Sequence, residues 1–154
     1  MSDQALRKHL LELLEGKSAH IDIESALADF PLAKINTRVG HSPHTAWDLL
    51  EHIRIAQWDI LEFCRNPGHE SPPWPDGYWR KVDGRPDKWK ASVKQVLSDV
   101  DALRDLVRDE SNDLFAAIPR GDGQTLLREI LLVVDHNAYH LGQLVLLKRM
   151  LEHK

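Results

Sequence analysis

The chain has 154 residues, 42% of them apolar and 29% charged, with a formal charge of −4. That composition fits one soluble globular domain over residues 1–154 and excludes a basic field able to hold nucleic acid or anionic lipid. No uncharged apolar run approaches the roughly 18 residues of a membrane span, and Met1–Leu10 lacks a signal-peptide core, so the expected location is cytoplasmic. The lone Cys64 agrees with that compartment and reads as a small core filler.

In chain order, Leu6, Leu10, Leu13 and Leu14 recur at helical spacing up to Gly16, which predicts a first helix over Asp3–Glu15. Glu24–Phe30 suggests a short helical turn. Ser42-Pro43 offers an N-cap and a first-position proline for a second helix running to about Arg65, with Trp47, Leu50, Ile53, Ala56, Ile60 and Phe63 on its apolar side. Arg65–Pro86 is rich in Pro and Gly yet carries Trp74, Tyr78 and Trp79. A loop this long and aromatic tends to be functional.

Asp87 can cap a third helix, whose period reaches Val107 and continues through Leu114, Phe115 and Ile118, with a break near Ser111–Asn112 as an alternative. Thr125 caps a fourth helix over about Leu126–Glu152, apolar on nearly every face and so either central or in a subunit interface. No strand-period segment, repeat or low-complexity tract is visible. The predicted fold is an all-α four-helix bundle, up-down-down-up, with a long crossover loop between the second and third helices.

His136 and His140, four apart on the fourth helix, project from one face and can hold one divalent ion at about 2.1 Å from each ring nitrogen. Alone, the pair fits better two partly buried rings satisfied by hydrogen bonds. His52, on the flank of the second helix's core stripe, can oppose the pair and complete a facial three-nitrogen set with open positions, as catalytic metal sites have. Asn137 follows His136 where a zincin needs Glu, and no Glu stands three residues before any of the nine histidines, which rules against a ferritin-like di-iron site.

Three stretches carry a family resemblance: "HSPHTAWDLLEHIRIAQWDILEF" (His41–Phe63), "PPWPDGYWR" (Pro72–Arg80) and "TLLREILLVVDHNAYHLGQLVLLKRML" (Thr125–Leu151). They resemble the DinB/YfiT-like superfamily of small four-helix-bundle metalloenzymes across essentially the whole chain. The resemblance implies one divalent ion, nickel or zinc, held by His52, His136 and His140. It also implies a homodimer and, in characterised relatives, transfer of low-molecular-weight thiols to electrophiles. His20 recurs in form among relatives of this branch and is a candidate for the mouth of the site.

Other residues have two readings each. Asp59 is either an outer hydrogen-bond partner of a ligand ring or a solvated helix carboxylate. Gln143 either reaches a metal-bound water or caps the polar stripe. Trp74 and Trp79 are either a lid or a plug, and both are expected to pack against the helices. His9, His41, His44, His69 and His153 read as surface or capping residues. The leading function is a metal-dependent transferase or hydrolase of a small molecule, with no general base nominated. The alternatives are a metal- or ligand-binding stress-related protein without turnover, or a dimeric interaction protein with structural histidines.

Overall fold

The computed structural model describes residues 3–152. Among them are five α-helices and no strand: α1 Gln4–Glu15, α2 Ile23–Leu27, α3 Ala46–Arg65, α4 Pro86–Arg108 and α5 Leu126–Glu152. The fold is all-α, as the periodicity predicts.

Local chemistry sets the helix ends. Gly16 adopts φ 71° at the C-cap of α1, the left-handed conformation in which glycine has no Cβ penalty. The start of α3 is three residues later than Ser42-Pro43 suggests. Thr45 and Asp48 form a reciprocal capping box, the Thr45 hydroxyl accepting from the Asp48 N–H and the Asp48 carboxylate from the Thr45 N–H. That box satisfies two free donors at once, so it outcompetes the single cap that Ser42 could give. Similarly, α4 starts at Pro86, with Arg85 rather than Asp87 as its N-cap.

The third helix stops at Arg108 and does not continue to Pro119. The Asp109 and Asp113 side chains accept from the N–H groups of Ser111 and Phe115, turns that compete with helix. The buried Arg7 guanidinium donates to the carbonyls of Val107, at 2.7 Å, and Asn112, at 2.6 Å, satisfying acceptors that a longer helix would have used. Leu114 and Ile118 are still buried, on an irregular segment, so their apolar period reported burial and not helix.

α3 packs against α4 and α5, and α1 packs against the same two helices. Gln57 donates to the Val96 carbonyl and Ser92 to Glu51, so α4 runs alongside α3 in the same direction. α5 runs against α3: Trp47 and Leu50 share a cluster with Leu147 and Leu151, while Leu61 shares one with Leu126 and Ile130. Between these two apolar clusters lies a polar layer. Gln57, fully buried, bridges α4 and α5 by donating to Val96 and accepting from Asn137 at 2.7 Å. Asn137 is the neighbour of His136 in the chain, so the layer adjoins the histidines of α5.

By length and composition α5 could cross a membrane. Its Leu126, Ile130, Val133, Leu141, Leu144, Leu147 and Leu151 are buried in the bundle, as in the central helix of a globular protein.

Candidate metal centre

α3 contributes His52, and α5 contributes His136 and His140 from successive turns of one face. One ring nitrogen from each lies within 4.8 Å of the others. The Nε2 atoms of His52 and His136 are 3.0 Å apart. Two nitrogens each about 2.1 Å from one cation, at angles of about 90–109°, would be separated by about 3.0–3.4 Å. The His52–His136 pair has that spacing.

The outer edges of the rings are fixed. His52 Nδ1–H donates to the Tyr78 carbonyl at 3.0 Å, and His140 Nδ1–H to Gln143 Oε1 at 2.7 Å. With the proton on Nδ1, each Nε2 presents a lone pair, the arrangement that metal-binding histidines share. Burial lowers the pKa of all three rings. For His136 the value falls to about 4, from desolvation first and then the neighbouring His140 and His52. The rings are therefore neutral at pH 7 and need shed no proton to ligate.

The family model of the DinB superfamily matches residues 17–144. The chain belongs to the DinB superfamily. No curated protein and no solved structure matches it. Membership agrees with the all-helical architecture and with a three-histidine cluster shared between α3 and α5 in this DinB protein.

The loop before α4 builds a second tier around the cluster. Trp79 lies flat on His52, with ring centroids 3.9 Å apart and planes 3° apart, and His44 stacks on its other face at 4.0 Å. His44 is thus part of an aromatic sandwich rather than a surface residue. The Tyr78 hydroxyl donates to Asp59 Oδ2 at 2.6 Å, and His69 Nε2–H donates to Asp59 Oδ1 at 2.7 Å. Asp59 is buried, not solvated, and touches no ring of the cluster. It anchors Tyr78, whose carbonyl in turn holds His52.

Several sequence expectations need correction here. His69 is 8% exposed, edge-on to Trp58, with its carbonyl accepting from Arg120. It is an internal polar group because Asp59 gives it a buried partner. Trp74 is 77% exposed, on the outer side of the loop, and meets Tyr78 in a T-shaped contact at 5.4 Å. Gln143 engages the His140 ring directly. His20 is exposed, its Nδ1 bonded to the Ile21 carbonyl, in a narrow cleft with Leu14, Asn137 and Leu141 on the α1 side of α5. It is not among the residues in contact with the three histidines. Cys64 is half-buried beside the second cluster, and burial raises its thiol pKa to about 12, so it is an inert packing group.

Sequence reasoning named Asp59 as a candidate outer partner but missed Gln57 and the pairing of Asp59 with Tyr78 and His69. Asp59 lies seven residues after His52, a spacing that placed both on one side of α3, but its partners come from a loop whose path no periodicity encodes.

Proposed function

We propose that this protein is a divalent-metal-dependent enzyme in which His52, His136 and His140 hold one nickel or zinc ion. The observation that carries the reading is the convergence of three neutral imidazoles, two of them held by hydrogen bonds on their outer nitrogens. Such buried polar rings cost free energy unless a shared partner uses their lone pairs. When bound, the cation supplies a positive charge that lowers the pKa of a thiol or water and readies it as a nucleophile. The substrate reading is transfer of a low-molecular-weight thiol to a small electrophile, with hydrolysis as the related reaction.

The chain's own residues do the positioning. Tyr78 and Gln143 fix the tautomers of His52 and His140, so both Nε2 atoms face the same point. Trp79 covers the outer face of His52 and keeps water from it. His136 is partly exposed, which leaves its side of the cluster as the approach for a small molecule.

A panel of low-molecular-weight thiols and alkylating electrophiles, assayed with nickel- and zinc-loaded protein, tests the reading. Thiol consumption that is lost in His136→Ala supports a transferase. A loaded protein inert toward the whole panel removes the transferase reading and leaves a metal-binding protein.

A further inference from the structure

A sizeable cleft lies apart from the histidines. It encloses about 670 Å³ between α3, the start of α4 and the Arg80–Arg85 segment. Four cationic side chains border it, Arg54, Arg80, Arg85 and Lys88, against the carboxylates of Glu51 and Asp83. Its lining is net positive on a chain that carries −4.

Glu51 lies beneath the cleft, its side chain only 4% exposed, and is paired with Arg54 and Arg80. It serves as a buried anchor. Arg54 donates to it through a two-point fork at 2.8 and 3.0 Å, Ser92 at 2.5 Å and Arg80 through Nε at 3.2 Å. Burial works against its charged form, but the bonds from Arg54, Ser92 and Arg80 hold its carboxyl below the ordinary range. A guanidinium is a rigid planar fork, so fixing one edge aims the others. The two terminal nitrogens of Arg80 and the Lys88 ammonium have no partner among the described residues. Trp47 forms an apolar wall, its indole N–H held by the Val82 carbonyl at 2.9 Å. Gly84 is required there: a Cβ would collide with the Trp47 ring.

We propose that this cleft binds a small organic molecule bearing a dianionic oxyanion group, a phosphate monoester or a paired carboxylate, through Arg54, Arg80 and Lys88. Preorganised guanidinium groups suit planar, bidentate recognition of such oxygens. The volume matches that of ordinary small-molecule sites. The site is separate from the histidine centre and its binding does not depend on a metal.

Calorimetric and NMR titrations with inorganic phosphate, glycerol 3-phosphate, malate and, as control, chloride at matched ionic strength test this. They are run on protein as isolated and on protein treated with chelator. Saturable 1:1 binding of a phosphate or a dicarboxylate, with a shift of the Trp47 indole N–H resonance, is expected in both preparations. Phosphate-only or malate-only binding assigns the source of the dianion. The exposed double change Arg80→Gln with Lys88→Gln should weaken binding at least about tenfold with an unchanged helical CD spectrum. No saturable binding beyond the chloride control, or equal affinity in the double variant, overturns the proposal. Because the chelated protein is tested in parallel, that failure is distinct from failure of the metal reading.

Discussion

Trp79 lies parallel to His52 at a centroid distance of 3.9 Å, with the His44 ring on its other face. The stack makes the loop before α4 a wall of the histidine cluster. It also places one of the chain's five tryptophans where its loss can be read in two ways.

Trp79→Ala removes a partly buried ring and should lower stability by about 1–2 kcal/mol, or roughly 3–8 °C in Tm. His52 and His140 keep their outer hydrogen bonds, so metal content should stay near that of the parent while metal release by chelator quickens. Thermal unfolding and chelator kinetics on one variant measure both. Unchanged values in both would show that the ring covers nothing of consequence.

Tyr78→Phe deletes the donor to Asp59 and leaves a buried carboxylate with one partner fewer. A hydrogen bond to a charged group contributes about 1.5–3 kcal/mol, and outer partners of metal ligands about tenfold or more in metal affinity. The expected outcome is a lower Tm and weaker cobalt binding, followed by the visible ligand-field spectrum. Trp74→Ala is the matched control on the exposed side of the same loop and should change neither.

The outer polar partners explain what the sequence could and could not reveal. His136 and His140 were legible because α-helical geometry alone puts residues four apart on one face. His52 was legible because its helix is amphipathic and its flank points inward. The Asp59–Tyr78–His69 group was not, since a carboxylate on a helix looks the same in solvent or buried until the loop that covers it is known. The same holds for α4: Leu114 and Ile118 keep an apolar period after the backbone has left the helix, because burial and not hydrogen bonding spaces them. Trp74 and Trp79, five residues apart in one loop, have opposite fates that composition cannot separate.

Stability of the metal-free protein should depend on pH in a defined direction. The His136 pKa is lowered from 6.5 to about 4, and those of His52 and His140 are lowered too. Below pH 6.5 the unfolded chain therefore takes up protons that the folded one refuses, so the contribution is intact above about 6.5 and is lost as pH falls toward 4. Chemical denaturation of chelated protein between pH 4 and 8 checks this. A His136→Gln variant should show a shallower fall over the same interval.

α5 presents Leu131, Tyr139, Leu146 and Met150, 43–66% exposed, within about 100° of its circumference. A second copy of the chain is the proposed cover for this stripe, in an interface of about 1,200 Å² or more. Light scattering at micromolar concentration should give twice the chain mass, and Leu146→Glu should shift it toward the single chain. A single-chain mass for the parent at all concentrations would contradict the dimer.

The central claim is that His52, His136 and His140 together hold a cation. The most direct test is elemental analysis of untagged protein, as purified and after equilibration with nickel or zinc followed by gel filtration. The predicted result is about one ion per chain in the parent and loss of that ion in both His52→Ala and His136→Ala. Metal below about a tenth of an ion per chain in the equilibrated parent, or equal content in parent and variants, would contradict it.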